Sequence, residues 1–219
     1  MAQRGRLGET ADCRQGHSGG SGSVRIAVQE VFAMGVALQK LSLADFLAWE
    51  NAQVEKHEYY RGEVFAMVGG RRSHGRVMLN LARQLMNRLD GSPCQVFADS
   101  MKVQVGDDAI LYPDIFVTCD KADLATDQIF RAPTLVIEVL SPSTQACDRS
   151  QKFALYRRIA TLQEYVLVDP ETRRIEAFRR TADNQWLFVD MSGDEAMVAA
   201  SIDCSVPLAE VFAGVDPAE

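Results

Sequence analysis

A chain of 219 residues with a formal net charge of −7 has room for one full hydrophobic core and little room for a second. Apolar residues at 47% and charged residues at 24% fit an ordinary globular domain, and no apolar run approaches the roughly 18 residues needed to span a bilayer. The acidic balance argues against indiscriminate adhesion to nucleic acid and leaves any such contact to one local basic face.

Residues 1–23 are rich in Gly, Ser, Arg and Gln and cannot bury enough surface to offset their ordering entropy. A disordered extension over residues 1–36 is therefore expected, with one folded domain over 37–219; Met34 is an alternative start. The stretch 24–38 carries Arg25 and Glu30 inside it, so it does not read as a signal sequence, and a cytoplasmic location is expected. Five cysteines (Cys13, Cys94, Cys119, Cys147, Cys204) are widely spaced, with no C-x-x-C pair. That spacing indicates neither a zinc ribbon nor a disulfide framework, and reduced thiols acting as small apolar residues are expected.

Folding signals begin at Ser42, where Ser42-Leu-Ala-Asp45 resembles a capping box opening a short helix to about Trp49. Glu58 to Met67 reads as a β-hairpin turning at Arg61-Gly62, and Gly69-Gly70 then breaks the chain. A helix over about 74–89 follows, with Ser73 as N-cap, Gly91 as stop and Met78, Leu81, Leu85 and Leu89 as its stripe. Strands are predicted over 95–98, 101–105, 110–118 and 134–140. Next come a helix over 148–159, strands over 164–168, 174–178 and 186–189, and a short terminal helix near 208–212. This order predicts an α/β domain, α+β-like in character: a mixed, largely antiparallel central sheet flanked by helices.

Two acids sit in apolar strands. Glu138 interrupts Thr-Leu-Val-Ile-Glu-Val-Leu140, and Asp114 interrupts Tyr-Pro-Asp-Ile-Phe-Val117. An unpartnered carboxylate at low dielectric costs several kcal/mol or shifts its pKa, so each needs a basic partner or a cation. If the strands are neighbours, one divalent ion satisfies both. Pro113 cannot donate to a ladder and suits a strand start or bulge. Lys152, early in the second long helix, lies just past the end of the Glu138 strand and can reach a scissile phosphate; the competing reading is an i,i+4 pair with Asp148.

The phrases His57-Glu-Tyr-Tyr-Arg-Gly-Glu-Val-Phe-Ala-Met67, Cys94-Gln-Val-Phe-Ala-Asp-Ser-Met-Lys-Val103, Tyr112-Pro-Asp114, Ile137-Glu-Val-Leu-Ser-Pro-Ser-Thr144 and Glu164-Tyr-Val-Leu-Val-Asp-Pro170 together resemble the Uma-two family of restriction-endonuclease-like proteins. That family falls within the PD-(D/E)XK nuclease superfamily, and the resemblance spans about residues 40–215. It implies a restriction-endonuclease-like core. It also implies a metal-dependent endonuclease hydrolysing DNA phosphodiester bonds, with Asp114 as the motif aspartate and Glu138 as the second acid. The superfamily lysine usually lies two residues after that acid, where this chain has Leu140. The pattern points instead to Lys152, with Lys102 as runner-up on a strand of the same sheet. Glu63 corresponds to the additional acid, so Asp114, Glu138 and Glu63 are the expected ligands of Mg²⁺ or Mn²⁺. His74 fits the pattern as a base or a DNA-facing donor.

Arg71, Arg72 and Arg76 could supply phosphate contacts, with Arg83 and Arg88 further along the same helix, and DNA is the expected partner. A homodimer is left open. Two other classes compete: a non-catalytic binding or scaffold protein that keeps the nuclease fold, favoured by the displaced lysine and acidic charge, and a metal-dependent hydrolase of small phosphate esters.

Overall fold

The computed structural model describes residues 40–67 and 69–215; the extension expected over residues 1–36 lies outside the described residues. Helix α1 (Leu43–Glu50) begins where Ser42 Oγ accepts from the Asp45 backbone N–H, the first bond of a capping box, and donates to the Asp45 carboxylate, a side-chain bond in addition to that cap. Strands β1 (His57–Tyr60) and β2 (Glu63–Ala66) form the hairpin, turning through Arg61 and Gly62, both at positive φ. That geometry favours glycine at the second position.

Helix α2 (Arg72–Arg88) buries Val77, Leu81 and Leu85 completely. It starts earlier than predicted, so Arg71 rather than Ser73 occupies the cap. Strands β3 (Gln95–Ala98), β4 (Lys102–Val105), β5 (Ala109–Leu111) and β6 (Ile115–Thr118) follow. The single strand predicted over 110–118 is thus two, because Tyr112-Pro113-Asp114 breaks the ladder and the halves join different sheets. Proline lacks the N–H that would continue the pairing.

After β7 (Ile129–Phe130) and β8 (Pro133–Val139), the second long helix is a composite. A short turn α3 (Gln145–Cys147) runs into a π-helical segment (Asp148–Lys152) and then α4 (Phe153–Tyr156). Inside it, Tyr165 donates its hydroxyl to the Asp148 carbonyl. π-Helical insertions of this kind concentrate at functional sites. Strands β9 (Glu164–Asp169), β10 (Arg174–Arg180) and β11 (Trp186–Asp190) complete the main sheet. A hairpin not predicted from the sequence, β12 (Ala196–Ala199) with β13 (Cys204–Pro207), precedes α5 (Leu208–Val211).

The largely antiparallel, mixed arrangement is present and is divided over two main sheets among the described residues. Six strands run in the order β11-β10-β9-β8-β6-β3 and five in the order β2-β1-β5-β4-β7, with β8–β9 and β4–β7 the parallel pairs. Alternation along β8 splits the core. Leu135, Ile137 and Val139 face α2, whereas Val136 and Leu140 join Phe116, Leu155 and Tyr156 in the layer between the sheets. Each fully buried side chain of this size contributes about 1.5–3 kcal/mol.

The cysteines depart from expectation. Gln95 pairs with Thr118 across β3 and β6, so Cys94 and Cys119 face each other one step further on and form a disulfide. Cys204 is a buried thiol, Cys147 lies beside the cavity described below, and Cys13 falls outside the described residues. The bridge closes a loop of 25 residues' separation. In the chain-entropy account its loss costs about 3 kcal/mol. Reduction with a phosphine is expected to lower the unfolding midpoint in urea accordingly, and a Cys94→Ala, Cys119→Ala protein should unfold at that lower midpoint whether reduced or not.

Candidate active site

The register of β6 on β8 pairs Ile115 with Ile137, which puts Asp114 opposite Glu138 on one face of the sheet. They are tied through the backbone: the Asp114 N–H donates to Glu138 Oε2 at 3.4 Å, and the Val139 N–H donates to Asp114 Oδ2 at 2.7 Å. Both acids line a cavity of about 490 Å³ between the two sheets.

Lys152 enters this cavity from the π-helical segment. Its ammonium lies 3.2 Å from Glu58 Oε1, 3.3 Å from Glu138 Oε1 and 3.5 Å from Asp148 Oδ1. The i,i+4 contact with Asp148, the competing reading of the sequence, is made, and the ammonium also lies inside the cavity beside the strand acid. Tyr156, one turn on, donates to Glu138 Oε1 at 3.1 Å. His74, in the first turn of α2, places Nε2 3.2 Å from Asp114 Oδ2.

Three carboxylates therefore surround one largely buried ammonium, with the fourth acid, Asp114, beside Glu138 and paired with His74. Burial drives Glu138 well above the ordinary carboxylate range; Lys152 opposes this, and Asp114 and Asp148 add to it. Burial likewise raises Asp148 against the pull of Lys152. Lys152 itself loses hydration, but Glu138, Glu58 and Asp148 outweigh that loss and hold its pKa well above the usual lysine value. His74 is raised chiefly by its hydrogen bond with Asp114, against desolvation.

Glu58 is held from behind. The Tyr112 N–H donates to Glu58 Oε1 at 3.2 Å, and the Tyr112 hydroxyl donates to the buried Glu50, which also accepts from the His57 N–H and faces the His57 ring. Burial and the nearby Glu50 carboxylate push the Tyr112 phenol upward, so it stays a donor.

The residues singled out from the sequence divide accordingly. The structure brings together Asp114, Glu138, Lys152 and His74. It does not bring Glu63 into the cavity: that residue sits opposite Tyr60 at the hairpin turn, is exposed, and is absent from the lining. Glu58 stands in its place. The two belong to the same hairpin, but the turn at 61–62 leaves Glu63 at the open end. Lys102 lies on β4 in the five-stranded sheet, not on that of Asp114 and Glu138, and its ammonium rests over the Tyr112 ring. Arg71 is at the rim, ion-paired with Glu171, while Arg72 and Arg76 are exposed on α2. Glu58 and Asp148 were overlooked as cavity acids. Their available signals were the alternation Glu58, Tyr60 along a strand and the spacing Asp148, Lys152, Tyr156 along a helix.

A divalent cation suits the donor chemistry: oxygen ligands, excess buried negative charge, and an Asp148 Oδ1 that accepts no hydrogen bond among the described residues. Among those residues no three His, Cys, Asp or Glu side chains are spaced to enclose an ion. The ligands to be considered are thus the opposed pair, Asp114 and Glu138.

Opposed strand acids, joined by a lysine from the following helix, sit on a fold of the restriction-endonuclease-like nuclease class. The chain is similar to the crystal structure of "a putative nuclease belonging to DUF820" from Anabaena variabilis, with a TM-score of 0.66 at 17% identity, covering 78% of this chain and 97% of that one. It belongs to the Uma2 family, described as "Putative restriction endonuclease", whose model matches residues 43–208. It is also similar to two uncharacterised proteins of Synechocystis. One, slr1290, is 37% identical over 80% of this chain and 93% of the relative. The other, sll1609, is 32% identical over 77% and 97% respectively. Among the described residues no helix is long and apolar enough to cross a membrane.

Proposed function

We propose that this protein is a metal-dependent endonuclease that hydrolyses phosphodiester bonds in DNA. The observation that carries the reading is the opposition of Asp114 and Glu138 across β6 and β8, with the Lys152 ammonium 3.3 Å from Glu138 Oε1. Asp114 and Glu138 would hold Mg²⁺ or Mn²⁺. The chemistry supplied by such an ion is acidification of a water and neutralisation of charge on the phosphate.

The chain's own groups do the rest. Lys152, fixed by three carboxylates, presents a positive charge that stabilises the crowded phosphorane-like transition state. Hydrolysis joins the water oxygen to phosphorus and breaks one ester P–O bond. The water proton needs an acceptor and the departing oxygen needs a donor. Asp148 combines a raised pKa with an Oδ1 that accepts no hydrogen bond among the described residues and lies 3.5 Å from the Lys152 ammonium. His74, whose protonated form the Asp114 hydrogen bond favours, would be the complementary donor. Arg71, at the rim, would meet a neighbouring phosphate by exchanging its ion pair with Glu171.

The test is incubation with single-stranded, plasmid and linear duplex DNA in Mg²⁺, in Mn²⁺ and in EDTA, beside a Glu138→Gln protein. Cleavage should require metal and disappear with the substitution. A Glu138→Gln protein that cuts as fast as wild type would assign the activity elsewhere. Absence of cleavage by wild type with either metal would favour a non-catalytic binding protein, a reading that draws on the full engagement of Lys152 by acids.

A further inference from the structure

We propose that the cavity takes an unpaired stretch of polynucleotide rather than intact duplex; the inference rests on the phosphodiesterase reading and narrows its substrate. The first ground is depth. Glu138 is 2% exposed and the Lys152 side chain 13%, so the reacting phosphate has to come inside the cavity rather than touch its mouth.

The walls give the second ground. On one side stands the β1–β2 hairpin, on another the segment Gly69 to Arg71, and on a third the turn from Ser141 to Thr144. A volume of about 490 Å³ is in the range of pockets that enclose a drug-sized ligand, such as one nucleotide with its flanking phosphates. In a duplex, each phosphate is carried on a stacked and paired strand. Bringing one down to buried carboxylates requires the adjoining nucleotides to leave the stack, which costs a few kcal/mol and costs least where the strand is already unpaired.

The third ground is the surface offered to the bases. Phe65 is directly opposite Glu58 in the hairpin register, so its ring stands beside one of the acids that hold Lys152. Tyr60 and Met67 line the same wall, and all three side chains are only partly buried. Half-covered aromatic faces next to a phosphate site are stacking platforms for bases, and every base has a face to stack, so sequence matters little. Charge points the same way. Of the lining basic residues, Lys152 is enclosed by carboxylates, His74 is paired with Asp114, and Arg71 stands at the rim paired with Glu171, on a chain of net charge −7. Duplex binding relies on many phosphate contacts, whereas a strand held by stacking needs fewer.

The experiment uses the full chain and three fluorescein-labelled DNAs: a short single strand, its duplex, and that duplex with a central unpaired bubble. Binding is read by anisotropy in EDTA and in Ca²⁺, and cleavage separately in Mg²⁺ and Mn²⁺. The single strand and the bubble should bind about tenfold more tightly than the duplex, with cuts confined to unpaired positions. Phe65→Leu, which keeps bulk but removes the aromatic face, should lose most of that preference; Tyr60→Leu is the second variant. Duplex bound as tightly as single strand, or a preference untouched by both substitutions, would overturn the inference. Strand preference without cleavage by either metal would sink the nuclease reading and leave this one standing. Equal cutting of duplex and single strand would do the reverse.

Discussion

Lys152→Met is expected to slow cleavage by about 10²–10³-fold and to destabilise the fold by about 3–5 kcal/mol at neutral pH. The two effects share one cause. Among the described residues the ammonium is the single cation between Glu58, Glu138 and Asp148, and its removal leaves buried carboxylates facing one another. The destabilisation should depend on pH with a definite sign. Glu138 and Asp148 have raised pKa values in the folded state, so each contributes stability that is present below the ordinary carboxylate range. That contribution is lost as pH rises through the folded value. Without the lysine the folded values climb further. The variant should therefore approach wild-type stability near about pH 5 and fall furthest behind near about pH 8 in urea unfolding. Adding Glu138→Gln should recover part of the loss, because a neutral amide needs no counter-charge. A Lys152→Met protein equally destabilised at both pH values would mean that the lysine acts through packing rather than charge.

Asp114→Asn should abolish the thermal response to metal. In wild type, Mg²⁺ or Mn²⁺ at about a hundred times its Kd should stabilise the folded state by about 2.7 kcal/mol, a rise of roughly 5–10 °C for a domain of this size. The response should grow from acid to neutral pH, because the ion must displace the protons that burial keeps on Glu138. Asparagine keeps an oxygen in place but deletes the charge that, with Glu138, would attract the ion. The metal-free variant should be as stable as wild type or slightly more so, since Asp114 adds to the repulsion at Glu138. Losing its partner should also return the His74 pKa toward ordinary imidazole, an effect readable by proton NMR. A substituted protein that still gains several degrees with metal would place the ion away from this pair.

Much of the local structure was legible because its causes are local. The capping of α1 by Ser42, the turn at Arg61-Gly62 and the stripe of α2 each depend on residues a few positions apart. Glu138 and Asp114 stood out for the same reason: a carboxylate inside an apolar strand conflicts with its own neighbours, and Lys152 follows on the next helix. Other features turn on which strand lies beside which. Nothing between Cys94 and Cys119 announces a bridge; it exists because β3 and β6 are adjacent although β4 and β5 intervene in the chain. The break at Pro113 sends β5 and β6 to different sheets, and that separation leaves Lys102 on the wrong one and brings the β1–β2 hairpin, with Glu58, over the acids. Glu63 and Glu58 look interchangeable in one dimension, since both are hairpin acids of the same phrase. Only packing of the hairpin against Tyr112 and Lys152 selects Glu58, because burial and charge neutralisation depend on distance through space, and sequence spacing sets that distance only within a single helix or strand.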